Sequence, residues 1–166
     1  MGVTITTREM KEEEFGEYKK TSIKEYAKEI VTAGRVSEDT AVEEASKTFE
    51  SLTPENGKNT EKNCLYIVEA DGIRVGIFWY LIQNILDEDV AFIADIRLDE
   101  AERGKGYGRK ILQFFEKEAK DKGYKVLGLN VFKDNPAAIH LYESEDYKIA
   151  VDSGGSLYMI KRIGNK

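Results

Sequence analysis

The sequence predicts an α/β protein, a central mixed β-sheet flanked by helices, in a single domain over residues 1–166. Three observations carry that expectation. Apolar residues recur at helical spacing up to about residue 52, the period changes to two from Cys64 onward, and each of the two later helical segments is followed by a strand. The length of 166 residues suits one ordinary domain, and no internal repeat or linker divides the chain.

The elements read in the order β-α-α-β-β-β-α-β-α-β-β. Residues 3–7, VTITT, are β-branched and alternating, a first or edge strand. Phe15, Tyr18, Ile23, Tyr26, Ala27, Ile30 and Val31 then fall near one helical face, with Gly34 placed to stop the helix. Ser37 before Glu38 and Asp39 starts a second helix, whose apolar positions are Val42, Ala45, Phe49 and Leu52 and whose end is Pro54. PENGKNTEKN at 54–63 is a polar, turn-rich, mobile loop. CLYIVEA, the Asp71-Gly72 hairpin signal, IRVGIFWYLI and AFIADIRL at 91–98 make an antiparallel meander. Phe78, Trp79 and Tyr80 are expected to supply core on one face, the other face lining a cleft. Past a glycine-rich loop, Ile111, Leu112, Phe115 and Ala119 mark a helix ending at Gly123, and KVLGLNVF at 125–132 is a strand. Asn135 as N-cap and Pro136 in the first turn open a helix to about Ser144, and YKIAV and SLYMIK close the chain as a strand pair joined by DSGG.

Composition narrows the function. With 41% hydrophobic and 34% charged residues the chain can fold and dissolve, and its net charge of −6 speaks against nucleic acid as a partner. One cysteine, Cys64, permits no internal disulfide, and one histidine, His140, leaves few metal ligands, so a cytoplasmic protein that needs no metal is expected. Cys64 reads as a buried filler and His140 as a surface or packing residue. No stretch has the apolar length of a membrane span, so no membrane partner is expected. Met1-Gly2 with Thr6 resembles the start of a myristoylation signal, but Val3-Thr4-Ile5 reads as strand. Residues 1–60 hold 9 basic and 13 acidic side chains, so the acid excess lies mostly in the two N-terminal helices.

The most informative string is Arg103-Gly104-Lys105-Gly106-Tyr107-Gly108-Arg109, between a strand and an amphipathic helix. Closely spaced glycines let backbone N–H groups approach an anion, and the helix N-terminus adds positive partial charge. The pattern is neither a Walker loop nor the dinucleotide spacing GxGxxG.

Together with AFIADIRL before it and NPAAIHLYE after it, this string resembles the GNAT superfamily of N-acetyltransferases, through Arg-x-x-Gly-x-Gly at 103–108 and Asn135, Ala138, Tyr142 and Glu143. The resemblance implies the GNAT fold and acetyl-CoA as co-substrate. Backbone groups of Ile96, Arg97 and Leu98 would align the pantetheine arm, with Asn135 and Ala138 beside it. Residues Gly104, Lys105, Gly106, Tyr107, Gly108 and Arg109, with Arg103, would hold the pyrophosphate, and Lys105, Arg109 and Lys110 could pair with phosphates. A primary amine, on a small molecule or a peptide, would attack the thioester directly in a ternary complex. A β-bulge beside Ile96–Leu98 would offer an N–H to the oxyanion, and Tyr142 would protonate the departing sulfur.

Two departures from the family pattern bear on this. Asn130 stands where some relatives that acetylate ribosomal-protein N-termini keep a glutamate, and an amide cannot be a general base. The remaining candidates are Asp95 acting through a water, which we favour, a carboxylate of the N-terminal helices such as Glu25 or Glu29, or bulk water; Asp95 could instead pair with Arg97 or simply face solvent. The Asp146-Tyr147 pair replaces the usual Gly-Phe, which requires Asp146 to take a positive φ. A CoA-binding sensor without turnover is the alternative function, and the chain is expected to be a monomer or homodimer.

Overall fold

The computed structural model describes residues 2–53 and 59–164, so Met1 and positions 54–58 of the expected loop lie outside the described residues. Strand β1 (Ile5–Glu9) leads into helices α1 (Glu12–Thr32) and α2 (Glu38–Leu52), then strands β2 (Asn63–Ala70), β3 (Ile73–Ile85) and β4 (Glu88–Leu98). A short 3-10 turn, Glu100–Glu102, precedes helix α3 (Tyr107–Asp121), strand β5 (Val126–Phe132), helix α4 (Pro136–Ser144), and strands β6 (Lys148–Asp152) and β7 (Ser156–Arg162). The predicted order of elements is the observed one.

All seven strands form one mixed sheet in the order β1-β2-β3-β4-β5-β7-β6, with β4 and β5 parallel and the other neighbours antiparallel. Helices α1 and α2 cover one face, where Phe15, Tyr18 and Phe49 meet Leu65, Ile77, Trp79 and Leu81. Helix α3 covers the other, packing Ile111, Leu112, Phe115 and Ala119 against Phe78, Tyr80, Leu127 and Leu129. Burying each leucine, isoleucine or phenylalanine among these contributes roughly 1.5–3 kcal/mol.

The turns follow the chemistry of their residues. Asp71 and Gly72, at φ 50° and 83°, make the β2–β3 hairpin, and Leu86 and Asp87, at 51° and 64°, make the next. Gly34 and Gly123 take φ 72° and 89° just past their helices. Asp146 adopts φ 69°, as its replacement of a glycine required. Asn135 Oδ1 accepts from the Ala138 N–H at 3.2 Å and caps α4.

Three expectations need correction. The first strand is residues 5–9 rather than 3–7, because Thr7–Glu9 continue the ladder against Tyr66–Val68, and an edge strand tolerates their polarity. The buried face of α2 is Ala41, Ala45 and Phe49, spaced by four, whereas Val42 is 60% exposed and Leu52 39%; Val42 sits one position, about 100° of helical rotation, from that face. Phe78, Trp79 and Tyr80 do not share a face: strand alternation sends Trp79 toward α1 and α2, and Phe78 and Tyr80 toward α3.

Candidate active site

The parallel β4–β5 ladder runs only from Val90↔Val126 to Ile93↔Leu129. Past that point the strands part, and among the described residues Ala94–Leu98 have no strand partner on the β5 side. A bulge marks the same place: Trp79 pairs with Asp95 and Tyr80 with Ile93, leaving Ala94 without a partner on β3. The extra residue resets the alternation, so Ala94 packs toward α1 and α2 and Asp95, next in sequence, reaches α1 as well, while Ile96 and Leu98 pack with the α3 core. Without the bulge Asp95 would point into that apolar core.

A cavity of about 390 Å³ opens between the parted strands and helices α1 and α2. Asp95 stands on one wall with its side chain 22% exposed, accepting from the Tyr18 hydroxyl at 2.7 Å and facing Arg97 Nη2 at 3.5 Å. Burial raises its pKa above the ordinary carboxylate value, with Arg97 and the Tyr18 hydrogen bond pulling the other way. Tyr18 is itself pushed well above the usual phenol range, by burial first and then by the Asp95 charge. Glu29, one of the two helix carboxylates considered, lines the cavity and is also raised, by burial first and then by Asp95. Glu25 is not among the lining residues. The pairing of Asp95 with Arg97 is therefore present together with its exposure to the cavity.

Across from Asp95, Tyr142 of α4 lines the cavity and stacks edge-on to Tyr147 at 6.0 Å. Burial, then the Asp95 charge, pushes its hydroxyl up to about 12, so it keeps its proton at neutral pH. Asn130, Asn135 and Ala138 line the same space. Asn135 spends its carbonyl oxygen on the α4 cap, and among the described residues its amide N–H groups donate to none.

The glycine-rich segment, the other candidate from the sequence, contributes no residue to the cavity lining. Gly104 and Gly106 take φ 77° and 83°, a conformation that costs other residues roughly 1–2 kcal/mol. Among the described residues, the backbone N–H groups of 104–109 donate to no carbonyl, and the first bond of the helix is Lys110 N–H to Gly106 O at 3.4 Å. A run of unsatisfied donors at the start of a 15-residue helix is an anion site in waiting. The nearby cations are engaged elsewhere: Lys105 with Glu102 at 3.1 Å, Arg109 with Glu145 at 2.8 Å, and Lys110 with the Val3 carbonyl at 3.2 Å. Arg103 Nε donates to the Leu98 carbonyl at 3.3 Å. These side chains brace the loop, and its donors are backbone groups.

Cys64 is buried, with Lys122 Nζ 3.7 Å from its sulfur, and His140 is exposed on α4; neither lines the cavity. Sequence reasoning placed Tyr18 only in a core. The available signal was a phenol on an apolar helical face, since a buried tyrosine hydroxyl usually finds a polar partner. Ser22, Arg35 and Phe132, which also line the cavity, carried no comparable signal.

The acetyltransferase (GNAT) family model matches residues 25–146. The chain is 32% identical over 146 residues to the uncharacterised N-acetyltransferase YdgE of Bacillus subtilis strain 168, covering 87% of this chain and 92% of the relative. It is 31% identical to the crystal structure of YycN from Bacillus subtilis, with a TM-score of 0.82 and coverage of 90% and 95%. The PaiA N-acetyltransferase of Thermoplasma acidophilum, solved in complex with coenzyme A, is similar at 18% identity, TM-score 0.62 and coverage of 96% and 99%. At that identity the likeness is one of fold.

Proposed function

The chain belongs to the acetyltransferase (GNAT) family and is an N-acetyltransferase; from that premise we propose that it moves acetyl from acetyl-CoA to a primary amine by direct attack within the cavity between α1, α2 and the parted strands. The observation that carries the reading is the junction of two features: an unpaired β4 edge beside Asp95 and Tyr142, and a run of unsatisfied N–H groups at 104–109 on the loop that leaves that strand. The coenzyme A bound in the Thermoplasma acidophilum neighbour supports the choice of donor.

Acetyl-CoA supplies an activated thioester. The N–H groups of 104–109 hold the pyrophosphate, and the β4 edge at Ile96 and Arg97 aligns the pantetheine arm. Leu98 contributes less through its carbonyl, which already accepts from Arg103. Asn135 turns its amide N–H groups toward the arm, and Ala138 leaves room beside it. The bulge at Ala94 frees backbone donors next to the reacting carbonyl. Asp95 takes the amine proton through a water, its raised pKa making it a better base than an ordinary aspartate. Tyr142, still protonated, donates to sulfur.

The test is CoA-thiol release from acetyl-CoA against a panel of amines, with calorimetry of acetyl-CoA binding on the same sample. Binding with amine-dependent release is expected. Tight binding without release from any amine would turn the reading into the CoA sensor, and no binding would overturn it.

A further inference from the structure

Among the described residues, the ionisable groups lining the cavity besides tyrosines are Glu29, Asp95, Arg35 and Arg97, two of each sign. The acid excess of the chain lies mostly in the N-terminal helices, yet the space they enclose is balanced. The two arginines differ in their circumstances. Arg97 faces Asp95 at 3.5 Å, and its other terminal nitrogen, Nη1, is buried without a hydrogen-bond partner. Arg35, on the α1–α2 connection, forms no ion pair among the described residues; its guanidinium lies over the Phe132 ring, 5.6 Å from the centroid.

That stacking reaches across the cleft, because Phe132 ends β5 while Arg35 belongs to the opposite, helical wall. A guanidinium held by an aromatic face keeps its in-plane N–H donors available, and such a planar fork matches a carboxylate. The other pole, Asp95 with Glu29, suits an ammonium group. A cavity of about 390 Å³ lies at the small end of the range typical of small-molecule sites.

We propose that the acceptor is a small zwitterion, an amine bearing a carboxylate, with its nitrogen toward Asp95 and its carboxylate against Arg35. The proposal rests on the acetyltransfer reading above and adds the substrate class. Arg35 is the specificity residue and Phe132 holds it in place. The ammonium first gives one proton to solvent through the water on Asp95 and becomes the free amine; the N–C bond then forms as the C–S bond breaks, the nitrogen loses its second proton, and CoA leaves as the thiol with the proton from Tyr142.

The test compares matched acceptors that differ only in the negative group: free amino acids of α and longer ω spacing, their amides, and the corresponding amines without the carboxyl carbon. CoA release is followed on the intact protein at saturating acetyl-CoA. The expected result is a preference in kcat/KM for the acid over its amide on the order of ten- to a hundredfold. The Arg35→Ala variant should bring that ratio close to one, mainly through KM, and Arg35→Lys should recover part of it. Phe132→Leu should lower the ratio by a smaller factor, through looser placement of the guanidinium. Equal rates with acid and amide, or faster turnover of diamines or peptide amides, would overturn the zwitterion while leaving acetyltransfer intact. A ratio unchanged by Arg35→Ala would remove Arg35. Absence of release with every amine would overturn both readings.

Discussion

The loop at 103–109, none of whose residues lines the cavity, presents backbone N–H groups; the helical wall of the cavity, α1 and α2, presents side chains such as Glu29 and the Tyr18 that holds Asp95. The loop needs only a local conformation, two residues with positive φ ahead of a helix, and its chemistry would be similar for many side chains. The helical wall depends on where two helices come to rest against the sheet. Its polar groups work only in combination, because Asp95 is poised by Tyr18, Arg97 and its own burial together. The run of free N–H groups is thus a property of a segment and the polar cavity a property of packing.

Mutations in the loop and in the cavity should fail differently. The largest effect is expected from Gly106→Glu, which forces a non-glycine into φ 83° and adds negative charge at the N–H cradle. Acetyl-CoA affinity should fall on the order of 10²-fold or more by calorimetry, with the circular dichroism spectrum retained. Retained affinity would move the pyrophosphate away from the loop. Tyr142→Phe should leave affinity unchanged and slow single-turnover acetyl transfer by about 10²–10⁴. An unaltered rate would assign sulfur protonation to another group.

Smaller effects test the helical wall. Tyr18→Phe removes a hydrogen bond that favours ionised Asp95, so the pKa of Asp95 should rise further and the acidic limb of the kcat/KM profile should move to higher pH by on the order of one unit. Asp95→Asn should abolish that limb, and a limb insensitive to both changes would exclude Asp95 as the base.

The smallest effect concerns the anchoring of α1, where Glu14 accepts from Arg8 at 2.8 and 2.9 Å and from the Lys11 N–H at 2.9 Å. The Arg8 hydrogen bond first, then the Lys11 N–H, hold the Glu14 pKa at about 2 against an ordinary 4.5, despite the opposing cost of burial. A lowered acid pKa stabilises the fold above the unfolded value and loses that contribution as pH falls through the folded one. Glu14→Gln should therefore cost roughly 1 kcal/mol in urea unfolding at pH 7, discounted for the partly exposed Arg8. The gap should close between about pH 4.5 and 2, and a gap independent of pH would show that the pair is not its source.

Much of the glycine loop and of the α4 cap was legible because its determinants are contiguous. Gly104 and Gly106, the capping Asn135 and the positive-φ Asp146 all act within a few residues of themselves, and each has the conformation its residue type demands. Long-range features were legible only in part. The change of face on β4 was not written in AFIADIRL, where Phe92, Ala94, Ile96 and Leu98 alternate without a break; only the family resemblance pointed to a bulge near there. That Asp95 would meet Tyr18, 77 positions earlier, required the helix to be docked. The face of α2 was misread because Val42 is more apolar than Ala41, whereas close packing with α1 admits the smaller side chain.

The amino-acid sequence by itself determined the order of elements, the glycine conformations and the family, since periodicity and turn chemistry are local and the motif residues are close in the chain. Only the tertiary structure decided the balance of charge inside the cleft. Arg35, Glu29, Asp95 and Arg97 come from three separate elements, and their sum is set by which side chains the packing of α1 and α2 on the parted sheet turns inward.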